Sequence, residues 1–364
     1  VTRGVRKVGV EEELWVVDPA SRRAVPRAPQ VLRLADDDVE RELFRHQVEI
    51  HSDPSTDLDD VGRDLRAARS GAGRAAEGAG LAVVASAVAV LASEVDVVSD
   101  DDRYRDMVAR YGDVARSAGT CGMHVHVDVD SDEEGVAVID RIAPWLPVVL
   151  AVSTNSPFAD GGDTSYASWR SEQWSRWPSA GPTDPFGDVA GYRAASRALV
   201  RSGAARDDAM LYFDARLAAS YPTVEIRVAD VATDLDDSLL VASLVRALVH
   251  TAAAGALPVV PWRSELLRAA RWRAARHGLA GDLLHPARPD AEPVGAADVL
   301  SDVVDAVRDA LDLAGDTDRV AEGVARVLRG TGATRQRAAL ERTGDLAGVV
   351  DDLVARTRDS WKEP

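Results

Sequence analysis

Five runs in the first two thirds of the chain are rich in β-branched residues or alternate apolar with polar ones: Arg6 to Val17, Arg45 to His51, Leu81 to Val90, Cys121 to Val129 and Thr223 to Ala229. Bounded by Gly, Pro or Asp, each reads as a strand. From Asp59 to Glu77 the apolar positions recur at helical spacing, and Gly135 to Leu150 reads as a second helix in which Pro144 and Pro147 mark a kink or an early stop. After about Leu235 the pattern is helical: a helix from near Asp236 with Thr233 and Asp234 as caps, then Trp262 to His277, Ala296 to Leu313, Asp318 to Arg329 and Thr334 to Arg356. Strands followed by helices predict an α+β chain. We expect residues 1–364 to form one domain, mostly helical over 235–358. The stretch from Asn155 to Asp188 follows neither period. Its glycines and prolines, with Trp169, Trp174 and Trp177, predict a long ordered loop.

The strands carry charge where burial forbids it unless a partner is present. Glu11, Glu12 and Glu13 lie between Val8, Val10, Leu14 and Val16; Glu49 follows Val48; His124 and His126 flank Val125; Glu225 and Arg227 alternate with Val224, Ile226 and Val228. Alternate side chains of a strand share a face, so Glu11 travels with Glu13, His124 with His126 and Glu225 with Arg227. Each set has a structural alternative: a solvent-facing strand for the glutamates, a carbonyl-satisfied core pair for the histidines, an internal salt bridge for Glu225 and Arg227. Their co-occurrence favours a cleft that holds divalent metal, because buried anions need a cation. Zinc competes, since two histidines and a glutamate suit it, but the excess of carboxylates and the absence of a His-Glu-x-x-His helix favour a hard ion. Arg227, and Arg216 just upstream, can clamp a phosphoryl or carboxylate group.

Composition removes other classes. A formal charge of −17 argues against a general nucleic-acid binder. Of 43 basic residues only Lys7 and Lys362 are lysines, and neither lies in a glycine-rich loop, so a P-loop is absent and a Schiff-base lysine has almost no place. Phosphate must then be handled by arginine and metal. No run approaches the roughly 20 apolar residues of a membrane helix, and Val1 to Asp18 has basic residues and glutamates in place of a signal-peptide core. With a single cysteine, Cys121, read as a small buried side chain, the expectation is a cytoplasmic protein without disulfides. The acidic run Asp36, Asp37, Asp38 reads as a solvated turn.

The segments Gly9-Val10-Glu11-Glu12-Glu13-Leu14, Gln47-Val48-Glu49-Ile50, Gly122-Met123-His124-Val125-His126-Val127 and Thr223-Val224-Glu225-Ile226-Arg227-Val228 resemble the type 2 glutamate-cysteine ligase family of carboxylate-amine ligases. Asn155-Ser156-Pro157-Phe158, Trp169-Arg170 and Ser175-Arg176-Trp177-Pro178 resemble its central loop, and Gly330-Thr331-Gly332-Ala333 with Arg335-Gln336 its carboxy-terminal motif. The resemblance runs from about residue 8 to 340. It implies a glutamine synthetase-like fold, in which a curved antiparallel sheet forms a funnel packed by helices. It also implies an ATP-dependent ligase that phosphorylates the γ-carboxylate of glutamate and passes it to an amine, typically that of cysteine. By motif position, Glu11, Glu13, Glu49, His124 and Glu225 would hold Mg²⁺ ions, or Mn²⁺ in their place. His126, Arg216 and Arg227 would contact ATP phosphates or the acyl phosphate, and Arg176 the substrate carboxylate. His51 and Ser52 stand where relatives commonly carry Asn and Thr, which bears on amino-acid selectivity. The implied partners are small molecules, with neither nucleic acid nor membrane, and the apolar faces of the helical half suit a homodimer. The residues themselves leave other readings open: a metal-dependent hydrolase using the same Glu and His to activate water, a diverged or inactive ligase, or a salt-bridged binding protein.

Overall fold

The computed structural model describes residues 4–36, 38–93 and 97–362; Asp37 of the acidic run lies outside them, and Asp36 and Asp38 are exposed. The strands in chain order are β1 (Val8–Val17), β2 (Val39–Arg41), β3 (Gln47–His51), β4 (Ala82–Val84), β5 (Gly122–Asp128), β6 (Phe158–Ala159), β7 (Gly162–Asp163), β8 (Ala215–Leu217), β9 (Thr223–Asp230), β10 (Asp282–Leu284) and β11 (Pro293–Gly295). Seven of them form one antiparallel sheet in the order β2-β3-β1-β5-β9-β8, with β4 added to β1. The sheet is not closed. β1 lies at its centre because it is long enough to serve two neighbours on one side: Val8 to Glu12 pair with β5, Trp15 to Val17 with β4.

Alternation separates the faces. Val48 and Ile50 of β3, Met123, Val125 and Val127 of β5, and Val224, Ile226 and Val228 of β9 are buried in the core. That face packs against helices Leu58–Gly78, Asp132–Ile142, Leu146–Ser153 and Leu235–Ala253. The last is buried along nearly its whole length, which explains its uniformly apolar sequence. Glu12 points to this side as well. Its carboxylate accepts Nε and Nη2 of Arg69, from Leu58–Gly78, at 2.7 and 2.8 Å, and Ser238 Oγ at 2.6 Å. Arg69 also donates to the carbonyls of Ala232 and Thr233, and both charged side chains are fully buried. Glu12 is therefore an internal tie between strand and helices, set apart from Glu11 and Glu13 by strand alternation.

Several expectations shift in detail. The apolar run Leu81 to Val90 is a strand only over Ala82–Val84. Beyond it, Ala85 and Ala87 bond to Thr357 Oγ1, Thr233 Oγ1 and the carbonyl of Asn155. Pro144 lies in the break between two helices, Asp132–Ile142 and Leu146–Ser153, bent by 71°, and Pro147 sits in the first turn of the second. Among the described residues no single helix is long and apolar enough to cross a membrane. The run Thr334 to Arg356 divides into Gly332–Thr343 and Leu346–Asp359 around Gly344, whose φ of 87° ends the first. Helices Asp102–Tyr111 and Val189–Ser202 have no counterpart in the sequence reading. The stretch from Asn155 to Asp188 contains the β6–β7 hairpin and the helix Trp169–Trp174.

Candidate active site

On the other face of the sheet the register brings the charged side chains together. Glu11 pairs with both His51 of β3 and His124 of β5, Glu13 with Glu49, and His126 with Glu225, which in turn pairs with Arg216 of β8. Gly122 and His126 are four positions apart, but their partners Asp230 and Glu225 are five apart. This extra residue on β9 lets Glu225 and Asp230 both face the cleft side, and places the irregularity beside Arg227, as bulges near active sites do. Gly122 is required because Arg170 occupies the space a side chain would take. A Cβ there would lie 2.2 Å from Arg170 Nη2, and its backbone N donates to Glu13 Oε2 at 2.6 Å.

Glu11, Glu13, Glu49, His124, His126, Arg216, Glu225 and Arg227 all line a single cavity of about 340 Å³. Glu11 bridges the two histidines: Oε2 lies 3.2 Å from His124 Nδ1 and Oε1 3.2 Å from His126 Nε2. Two groups have their ligand atoms within 4.8 Å of one another, as ligands of one ion must: Glu11, Glu49 and His124, and Glu11, His126 and Glu225. Glu225 is held by Arg216, through Nε at 2.6 Å, and by Arg227. The Arg227 guanidinium also lies over the rings of Trp174 and Tyr212.

The electrostatics divide the carboxylates. Burial acts to raise Glu11, but hydrogen bonds from His124 and His126 outweigh it and hold the group well below the carboxylate range. Burial is likewise outweighed at Glu225 by Arg227 and Arg216, which keep it ionised. Glu49 is pushed well above its ordinary value by burial and by Glu42. Glu42 rises to about 8 through burial and the charge of Glu13. Burial, then Arg227, lowers His124, leaving a neutral imidazole whose Nε2 is buried without a hydrogen-bond partner. Too many carboxylates for the local positive charge, together with a neutral histidine aimed among them, is the donor set a hard divalent cation fits.

Sequence reasoning missed Glu42, which sits in the turn between β2 and β3 where no period marks it, and also Arg103 and Tyr104 at the start of helix Asp102–Tyr111. All three line the cleft. Arg176 is not brought there. Trp174 and Trp177, three residues apart across the end of helix Trp169–Trp174, take the inward positions and leave the Arg176 side chain exposed.

The other motif residues form a clasp behind the cleft. Asp230 accepts from Asn155 N, Ser156 Oγ and Ser168 Oγ at 2.8, 2.7 and 2.8 Å. Gln336 Nε2 donates to Asn155 O and Oδ1, both at 2.8 Å, and a Cβ at Gly332 would lie 2.2 Å from Asn155 Oδ1. The amino-terminal part of the 155–188 loop is thus anchored, and only Trp174 and Trp177 of that loop reach the cleft. Cys121 is fully buried, accepts from Gln47 Nε2 at 3.3 Å, and has its thiol raised by burial.

Known proteins share this sequence and fold. The model of glutamate-cysteine ligase family 2 matches residues 7–356. A Nocardioides sp. protein named "Putative glutamate--cysteine ligase 2-1" is 53% identical over 375 residues, covering 99% of this chain and 98% of its own. A similarly named Streptomyces coelicolor protein is 47% identical over 365 residues, covering 97% and 99%. Among solved structures, the glutamate-cysteine ligase of Francisella tularensis in complex with AMP superposes with a TM-score of 0.69 at 12% identity, covering 100% of this chain and 90% of that one. A bifunctional glutathione synthetase from Pasteurella multocida gives 0.70 at 14% identity, and this chain spans 52% of its length. The chain belongs to glutamate-cysteine ligase family 2, and is an ATP-dependent carboxylate-amine ligase on a glutamine synthetase-like fold.

Proposed function

We propose that this ligase joins the γ-carboxylate of glutamate to the amine of cysteine, with Mg²⁺ as the metal. The observation that carries the metal assignment is the position of Glu11, which belongs to both ligand groups and so can bridge two ions. Glu11, Glu13, Glu49, His124 and Glu225 are the proposed ligands, with Glu42 at the margin. Bound there, the ions would neutralise triphosphate charge. The choice of cysteine draws on the names of the relatives.

A carboxylate cannot acylate an amine directly, because its leaving group would be oxide. The γ-carboxylate oxygen of glutamate therefore takes the terminal phosphoryl group of ATP, releasing ADP. The amine, having lost its ammonium proton, attacks the acyl carbon, phosphate departs with the electrons of the C–O bond, and the nitrogen gives up its second proton to the departing phosphate or to water. Arg216 and Arg227 supply fixed guanidinium charge on the Glu225 side, where the near absence of lysine leaves phosphate handling to arginine. His126 holds Nδ1 against Thr223 Oγ1 at 3.1 Å and Nε2 3.2 Å from Glu11 Oε1, and would contact a phosphate oxygen once a metal ion takes up Glu11. Trp174, Trp177 and Tyr212 form an apolar wall that keeps water from the acyl phosphate.

A bulkier acceptor amine is the second reading, favoured by the breadth of that aromatic wall together with Tyr104 and Met107. Both readings are tested by ADP release with MgATP and glutamate, with cysteine and then with a panel of amines, and by product mass. Formation of γ-glutamylcysteine supports the first reading. Glutamate-dependent turnover with another amine supports the second, and absence of ADP with every amine overturns both.

A further inference from the structure

We propose that the chain has a second site, separate from the metal cleft, that binds a small organic anion through phosphate or carboxylate oxygens. A cavity of about 400 Å³ lies between helix Ala28–Leu32 and the edge of the sheet, lined by Arg33, Arg41 and Arg45. Arg41 pairs with Val48 across β2 and β3, whereas Glu40 pairs with Glu49. The Arg41 side chain therefore leaves the sheet on the face opposite Glu49, away from the cleft.

Many arginines of this acidic chain meet carboxylates, as Arg103 meets Asp207 and Arg206 meets Asp106. Among the described residues, Arg33, Arg41 and Arg45 have no carboxylate partner, and Nε of Arg45 is buried without an acceptor. Among the described residues the one acid lining the cavity, Asp100, is engaged by Arg105. Three guanidinium groups around one space, one with a desolvated donor and with no free carboxylate among the described residues, suit an oxyanion. The volume is in the range of small-molecule pockets.

The cavity shares backbone with the catalytic cleft. Ser99 in its wall donates through Oγ to the carbonyl of Glu42 at 2.6 Å and through N to Leu43 O at 2.8 Å. Gln47 lines both spaces. A ligand held by the arginines would brace the turn that carries Glu42 into the cleft.

The test is equilibrium binding of inorganic pyrophosphate and of glutarate to the metal-free full chain, by calorimetry and thermal shift. Wild type, the Arg41→Ala/Arg45→Ala double variant, Arg41→Gln and Arg227→Ala would be compared. We expect one of the two anions to bind one-to-one and raise the melting temperature, the tighter one identifying the oxyanion type. The double variant should lose at least tenfold in affinity while Arg227→Ala retains it. Arg41→Gln, at an exposed side chain without a structural partner, should weaken binding even if the double variant fails to fold. Binding of neither anion, or binding that depends on Arg227 and not on Arg41, overturns the proposal.

Discussion

Glu11 and His124 face one another across β1 and β5, with Oε2 and Nδ1 3.2 Å apart, and the same carboxylate reaches His126 through its other oxygen. One side chain thereby links both ligand groups of the cleft.

Glu11→Gln is expected to lower glutamate-dependent ADP release by about 100-fold or more, beyond what outer-shell changes at metal sites cause, with the melting temperature of the metal-free protein nearly unchanged. An amide is a weaker ligand for a hard ion. Near-normal turnover of the folded variant would remove Glu11 from the metal site.

The neighbouring Glu12 should behave in the opposite way. Glu12→Ala strands the fully buried Arg69 without its counter-ion, a change that costs roughly 3–5 kcal/mol. Urea unfolding should show this loss, while whatever folded protein remains keeps its KM values. A stability change under about 1 kcal/mol would mean that water replaces the carboxylate.

Arg227→Lys should reduce turnover by about 10²-fold or more, the scale for losing one pre-placed donor to developing charge, because an ammonium cannot keep both the contact with Glu225 and the stacking on Trp174 and Tyr212. Arg176→Ala, at an exposed position outside the cleft, should leave KM for glutamate within about twofold, since surface changes of this kind are small. A large rise in that KM would show that the segment after Trp174 rearranges when substrate binds.

The metal-free protein should lose stability as pH rises from about 4.5 to about 8. Folded Glu42 keeps its proton to about 8, and burial and Glu42 likewise hold Glu49 above its ordinary value, while the unfolded chain releases both near 4.5. Across that window the folded state binds more protons, so the slope is negative. Below it, Glu11 and Glu225, held low by their histidine and arginine partners, contribute stability that disappears as pH falls. Saturating Mg²⁺ should displace the protons and flatten the upper limb. Melting curves from about pH 5 to 9, with and without Mg²⁺, check this; a metal-free profile that rises through the window contradicts it.

The sequence by itself determined which charged residues would share a strand face. The two-residue period of a strand placed Glu11 with Glu13, and Glu225 with Arg227, before any partner strand was known. Nearly all arginine and only two lysines pointed any phosphate contact to guanidinium and metal. Tertiary structure decided what long-range pairing alone can decide. The order of strands around β1 made Glu11 the shared residue, and the extra residue of β9 turned Glu225 and Asp230 to one side. Glu42 reached the cleft from a turn with no period to read. Asn155 and Gln336, motif residues 181 positions apart, became a clasp behind the site. Period and propensity report neighbours along the chain, and these contacts join residues that folding alone makes neighbours.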